Sequence, residues 1–98
     1  MIKPEECVNI QQVRAEIDRI DKTIIDLIGS RYQYVKAAAQ FKTSESSVKA
    51  PERFASMILQ RREWGKEQGL NPNVIANLYT DLVTYFINEE LNHWKQKQ

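Results

Sequence analysis

The stretch VRAEIDRIDKTIIDLIGSRYQYVKAAAQFK, residues 13–42, has the pattern of one long amphipathic helix. Its apolar residues recur every three or four positions, as they do on one face of an α-helix. Before it, Asn9 and Gln12 form a capping-box pattern, so we expect the helix to begin at residue 9 or 10. The periodicity continues to about Lys42, and Gly29 weakens the helix without ending it. The apolar positions are Val13, Ile17, Ile20, Ile24, Leu27, Ile28, Tyr34, Val35, Ala38 and Phe41.

This first helix is longer than a compact domain of the same chain length can hold. About 34 residues at 1.5 Å each span roughly 50 Å. A compact domain of 98 residues has a diameter of only about 33 Å. One end of the helix must therefore project, together with its apolar stripe, and a projecting apolar stripe needs a second chain. We expect an intertwined homodimer with two-fold symmetry.

Two further helices follow from local start and stop signals. Pro51 suits the first position of a second helix over residues 51–68, which Gly69 ends. Asn71 and Pro72 begin a third helix that continues towards the C-terminus. The polar segment TSESSVKA, residues 43–50, is expected to be a loop. Because the alternation typical of strands is missing, the sequence predicts an all-α fold of three helices in a single domain, residues 1–98.

Composition argues against several classes of partner. Fourteen basic and thirteen acidic residues give a net charge of +1, so nucleic acid is a poor candidate. No apolar run approaches the roughly 20 residues of a membrane span, and the first ten residues do not resemble a secretory signal. Cys7 is the only cysteine, which fits a reduced cytoplasm. Cys7 is a poor candidate nucleophile, because the only histidine, His93, lies near the other end of the chain.

Cations on the predicted apolar side form the candidate binding site. Arg31 and Lys42 are 11 positions apart, so on one helix they would point within about 20° of each other, about 16 Å apart. Arg14 precedes Arg31 by about 25 Å along the axis and could reach the same ligand only from an antiparallel second copy. Arg53 lies in the first turn of the second helix, where a cation opposes the helix dipole. Structural alternatives stay open: Arg14 could pair with Asp18, and Lys42 could serve the C-terminal end of the dipole.

Glu90 is a further candidate, because it shares a helical face with Val83, Phe86 and Trp94. A carboxyl group on an apolar face is usually paired with a cation, or kept neutral by a raised pKa. The alternative is a glutamate that reaches solvent near the end of the helix. The spacing does not decide between the two.

The first helix, with Arg14, Arg31 and Lys42 at these spacings, resembles that of the all-helical chorismate mutase superfamily. The resemblance covers essentially the whole chain and implies the three-helix plan and the intertwined dimer. Within the superfamily, the segments YVKAA, FKTSE and APER are most similar to the isochorismate-pyruvate lyases, and PEEC and GL support that match. The resemblance implies a concerted elimination that turns isochorismate, a dicarboxylate, into salicylate and pyruvate for siderophore biosynthesis, with no cofactor or metal.

The resemblance also implies a role for each candidate residue. Arg31 and Arg14 of the partner subunit would bind the substrate carboxylates. Lys42 would donate to the ether oxygen and to a carboxylate, while Arg53 would lie at the ring side. Glu90 would place a hydrogen bond on the ether oxygen, and the loop over residues 43–50 would close over the site.

Two positions depart from the pattern of the superfamily. Ala50 stands where chorismate mutases often carry an acid that receives a substrate hydroxyl, which weakens a mutase assignment. Glu90 stands where many relatives have glutamine, and an ionised glutamate cannot donate a hydrogen bond. The alternative functions are therefore chorismate mutase and, as a different class, a non-catalytic helical dimerisation or regulatory module.

Overall fold

The structure, a computed structural model, describes residues 1–96. In that range a 3-10 turn at Pro4–Glu6 precedes four α-helices, and no strand is present. The predicted all-α class and the three long helices are confirmed. The helices are α1 (Ile10–Ala39), α2 (Glu45–Lys49), α3 (Pro51–Glu67) and α4 (Pro72–Gln96).

The chain forms two compact units, the first of which is Met1–Gln33, while the second begins at Tyr34. The buried apolar side chains all belong to the second unit and come from each of its helical segments. They are Ala39, Val48, Met57, Val83 and Phe86. The expectation of a single domain stays a prediction.

In the first unit, the start of α1 is fixed by local hydrogen bonds. Asn9 Oδ1 accepts from the Gln12 backbone N–H at 2.9 Å, which confirms Asn9 as the N-cap. The Gln12 side chain does not return to the Asn9 N–H as a capping box requires. It accepts instead from the N–H of Val8 at 3.0 Å, so that half of the prediction is wrong by one residue.

The apolar stripe of α1 lies exposed within the first unit. Four of its large side chains keep between 47% and 63% of their surface exposed, namely Ile17, Ile20, Ile24 and Leu27. The periodicity of these residues is nevertheless that of a helix face covered by other protein. Within the first unit, about half of this apolar surface is left exposed.

Helix α1 ends at Ala39, three residues before the predicted end. The N–H groups of Gln40, Phe41 and Lys42 donate to carbonyls three residues earlier, at 3.1, 3.0 and 3.4 Å. Such short-range bonds tighten the last turn and end an α-helix. Lys42 consequently lies outside α1, so the prediction that the helix continues to Lys42 is wrong, while the direction of Lys42 relative to Arg31 stays a prediction.

The segment predicted to be a loop contains α2, so that prediction is wrong for Glu45–Lys49. Ser44 and Ser47 cap α2 reciprocally, since the hydroxyl of each accepts from the backbone N–H of the other at 3.1 Å. Ala50 follows in a left-handed conformation with φ of 40°, and Pro51 then begins α3 as predicted. Five residues are too short to show helical periodicity, which is why the sequence did not reveal α2.

Helices α3 and α4 form an antiparallel pair joined by a tight connection. Gly69 has a φ of 74°, and the Leu70 N–H donates to the Gly65 carbonyl at 2.9 Å, which closes a Schellman-type helix end. Asn71 Oδ1 accepts from the Asn73 N–H at 2.8 Å, so the predicted start of α4 is confirmed.

The contacts between α3 and α4 show that the two helices are antiparallel. Arg62 donates to Asn73 Oδ1 at 2.8 Å, and the Arg61 guanidinium lies 5.8 Å from the centre of the Tyr79 ring. Arg61 is farther from the connection than Gly65, and Tyr79 is likewise farther from it than Ile75, which Gly65 approaches, so the two helices run in opposite directions. Gly65 permits a close approach of the two helices, because a β-carbon there would lie 2.7 Å from Cγ1 of Ile75.

Candidate active site

The buried face of α4 carries one charged residue among apolar ones. Val83 and Phe86 are 4% and 3% exposed, and Glu90, one helical turn further along, is 7% exposed. These spacings of three and four residues place all three side chains on one face of the helix. Glu90 therefore points into the second unit and does not reach solvent at the end of the helix.

Lys42 brings a positive charge to this carboxyl group. Its Nζ lies 3.8 Å from Glu90 Oε2, which is an ion-pair distance but too long for a hydrogen bond. The same ammonium donates to the backbone carbonyl of Ser47 at 2.9 Å. Lys42 is thus directed towards α2 and α4 and not towards the carbonyls at the end of α1. The dipole alternative does not describe this geometry.

Burial and charge act in opposite directions on the pKa of Glu90. Burial, the larger effect, raises the pKa of this carboxyl above its ordinary value of 4.5, while the Lys42 ammonium lowers it. Among residues 1–96, no group donates a hydrogen bond to Glu90 Oε2. A buried polar atom without a partner is uncommon in folded proteins; Arg61 Nε is another in the described range. The result is a carboxyl that holds its proton to higher pH than an exposed glutamate does.

Trp94 completes this arrangement one turn beyond Glu90 on α4. Its indole N–H donates to the backbone carbonyl of Lys42 at 3.0 Å, across 52 positions of sequence. Sequence reasoning gives Trp94 no role in the site, and its spacing of four residues from Glu90 is the one signal that points to it. The contact between Lys42 and Ser47 uses the backbone carbonyl of Ser47, which every residue type carries, so the sequence could not predict it.

Arg53 lies where the sequence predicted, in the first turn of α3. It is exposed and lines a cavity of about 360 Å³ at the junction of α2 and α3, together with Ser46, Ala50 and Glu52. Within residues 1–96, Arg53 forms no ion pair. Its contact with a substrate stays a prediction.

Arg14 and Arg31 both lie on α1, in the first unit. Arg14 is exposed and Arg31 is half-buried. In the described part of the chain, Arg14 forms no ion pair with Asp18, so that structural alternative is not found. Because α1 is continuous between the two arginines, they are separated by about 25 Å along its axis. Their roles stay predictions.

Residues 1–96 contain no cluster of three His, Cys, Asp or Glu side chains of the kind that holds a metal ion. In the same range, no helix is both long and apolar enough to cross a membrane.

The chain is thus an all-helical protein in which a lysine and a buried glutamate, distant in sequence, face each other. Residues 13–91 match the family described as chorismate mutase type II, and the chain belongs to that family. This confirms the resemblance drawn from the sequence.

Two relatives illustrate the range of the family. The chain is 40% identical over 96 residues to isochorismate pyruvate lyase of Pseudomonas aeruginosa (strain PAO1), an alignment that covers 98% of this chain and 95% of the relative. It is 31% identical over 67 residues to the T-protein of Enterobacter agglomerans, covering 67% of this chain but 18% of the T-protein. The first relative therefore matches along nearly its whole length, and the second only in one part.

Proposed function

We propose that the chain is an isochorismate-pyruvate lyase, which converts isochorismate into salicylate and pyruvate. The observation that carries this proposal is the 40% identity to the P. aeruginosa lyase, which extends over nearly all of both chains. The reaction would take place in the cytoplasm, and its salicylate would serve the biosynthesis of salicylate-derived siderophores.

The reaction balances without any co-reactant. The ether C–O bond between the ring and the enolpyruvyl side chain breaks, while a hydrogen on the adjacent ring carbon moves to the side-chain methylene. That methylene becomes the methyl group of pyruvate, and the ring becomes aromatic as salicylate. In a concerted elimination of this kind no side chain acts as nucleophile or base. The protein contributes orientation and stabilises the negative charge that develops on the ether oxygen.

Lys42 is the proposed donor to that oxygen. Its ammonium is half-buried, and the contacts with Glu90 at 3.8 Å and with the Ser47 carbonyl at 2.9 Å hold it in place before substrate binds. A donor oriented in advance has no reorganisation to undergo during the reaction. Glu90 is the proposed second donor, in its protonated form, and the burial that raises its pKa supports this role.

The remaining cations would hold the two carboxylates of isochorismate. Arg31 and Arg14 of the partner subunit would form bidentate contacts, which fix orientation as well as position. Arg53 would lie at the ring side. The segment that contains α2 would close over the bound substrate and exclude water, and the hydrogen bond between Lys42 and Ser47 already links that segment to the donor.

The proposed site requires a two-fold homodimer. The apolar stripe of α1, with Ile17, Ile20, Ile24 and Leu27 about half exposed, supports a partner helix on that face. If two copies of α1 cross antiparallel, Arg14 of the partner subunit comes level with Arg31 of the first chain. A symmetric dimer would then contain two equivalent sites.

The test is to incubate the purified chain separately with isochorismate and with chorismate. We expect salicylate and pyruvate in equal amounts from isochorismate, and a loss in kcat of about 100- to 1,000-fold in Lys42→Ala, as for other oriented donors. Lys66→Ala is the control, since that lysine only pairs with Glu63 on an exposed part of α3. No product from either substrate would indicate a non-catalytic module.

Chorismate mutase is the second candidate, because the family that the chain matches carries that name. The same pocket could orient chorismate for a rearrangement to prephenate. Ala50 argues against it as the main activity, since alanine has no carboxylate to receive a substrate hydroxyl. Faster formation of prephenate from chorismate than of salicylate from isochorismate would reverse this order.

A further inference from the structure

We propose that Trp94 is a positioning residue, which sets the location of the Lys42 ammonium by holding the Lys42 backbone. This inference rests on the proposed function, since it has a catalytic consequence only if Lys42 acts on the substrate. Trp94 itself would touch neither the substrate nor the reacting atoms.

The backbone of Lys42 needs such support because it lies beyond the end of α1. Its own N–H makes only a long 3.4 Å bond to the Ala39 carbonyl. The Lys42 carbonyl is held from another element, by the indole N–H of Trp94 at 3.0 Å. That is an ordinary hydrogen-bond length in a partly buried setting, where an unpaired carbonyl would be costly.

Helix α4 holds Lys42 at both ends of the residue. Trp94 binds the backbone carbonyl, and Glu90, one turn earlier on the same face, lies 3.8 Å from the ammonium. Two groups spaced by four residues on one rigid helix keep a constant separation. The Ser47 carbonyl adds a third contact from α2. Together these contacts define where a four-carbon side chain with many rotamers places its charge.

The role of the indole N–H can be separated from the role of the ring. Trp94→Phe keeps an aromatic side chain but removes the donor. Trp64→Phe is the matched control, because Trp64 is half exposed on α3 and its ring lies 4.6 Å from the Arg61 guanidinium. These are the two tryptophans of the chain, so each variant also assigns one of the two indole N–H signals in a ¹H–¹⁵N spectrum.

The hydrogen bond has its own readout in that spectrum. We expect the Trp94 indole proton to exchange with solvent more slowly than that of Trp64, because only Trp94 donates to a partly buried carbonyl. Exchange of the two protons at the same rate would contradict a persistent bond in solution and would overturn the proposal.

For catalysis, we expect Trp94→Phe to lower kcat about 10- to 100-fold, since a displacement of about 1 Å can cost a factor of that size. The KM for isochorismate should change less than about threefold, because the interaction lost belongs mainly to the transition state. Trp64→Phe should keep both constants. An unchanged kcat in a folded Trp94→Phe variant, or a KM effect alone, would overturn the positioning role.

Two further variants distinguish a failure of folding or of the proposed site from a failure of the positioning role. If Trp94→Phe does not fold, replacing the Trp94 indole by benzothiophene removes the N–H at nearly constant shape, and the same loss in kcat is expected. Lys42→Ala separates the two proposals. If it is impaired while the Trp94 variants keep full kcat, only the positioning role fails. If Lys42→Ala keeps full turnover, the proposed site fails and the role of Trp94 with it.

Discussion

At the scale of the residue, Glu90 shows how burial decides a role that spacing left open. The helical pattern placed Glu90 on the face of Val83 and Phe86, and that placement is confirmed. The pattern could not show that Lys42 lies 3.8 Å away, because that contact joins positions 48 residues apart in sequence. Nor could the pattern show that the effect of burial on the pKa of Glu90 is larger than the opposite effect of the Lys42 ammonium, so that the pKa is raised.

The raised pKa of Glu90 predicts how activity depends on pH. If the protonated carboxyl donates to the ether oxygen, kcat/KM should fall as pH rises through the pKa of Glu90. Glu90→Gln should flatten this fall, because an amide donates at every pH and has nearly the same shape. The measurement is a pH–rate profile of both proteins, and parallel profiles across the neutral range would remove Glu90 as the titrating donor.

The raised pKa of Glu90 should also make the free energy of unfolding depend on pH. This dependence is a control for the activity profile, because it does not involve the substrate. Because the pKa of Glu90 is higher in the folded chain than in the unfolded one, its contribution is fully present below the ordinary value of 4.5. That contribution is lost as pH rises through the folded pKa. Glu90→Gln lacks this titration. As pH rises, the free energy of unfolding of the wild type should therefore fall relative to that of the variant. Urea denaturation at several pH values measures the difference.

At the scale of the element, starts and stops of helices were predictable wherever they depend on near neighbours. Asn9, Pro51, Gly69 and Asn71 act through residues within a few positions, and each stands where the sequence placed it. The end of α1 was not predictable in this way, because the apolar period continues past Ala39. Beyond that point Lys42 takes its partners from α2 and α4, which a local pattern does not contain.

Two helical glycines should respond oppositely to the same change. Gly29 is on the polar side of α1 and a β-carbon there meets nothing within 4 Å, so Gly29→Ala should stabilise the fold by about 0.5–1 kcal/mol through helix propensity. In Gly65→Ala the new β-carbon would lie 2.7 Å from Ile75 Cγ1. Overpacking of this kind costs about 1–3 kcal/mol, more than propensity returns.

Thermal or urea denaturation of the two glycine variants measures both effects against one wild-type curve. The Gly65→Ala result tests the close approach of α3 and α4, and Gly29→Ala is its matched control on an open helix surface. Equal stabilisation of the two variants would mean that α3 and α4 are not in contact at Gly65.

At the scale of the whole molecule, the proposed site requires a second copy of the chain. The length of α1 and its half-exposed apolar stripe are properties of one chain, but the proposed site needs residues from two chains. Arg14 and Arg31 are about 25 Å apart on a continuous helix, a separation too large for one small dicarboxylate. The sequence could therefore predict that a partner is needed, while the geometry of the shared site stays a proposal.

The most direct test is the activity recovered when Arg14→Ala and Arg31→Ala chains are unfolded, mixed in equal amounts and refolded together. Each parent should be nearly inactive with isochorismate. In random dimers half are mixed and each mixed dimer has one intact site, so about one quarter of the wild-type activity should return. Wild type mixed equally with the double variant is the control and should fall to about the same quarter. A mixture as inactive as its parents would contradict the shared site.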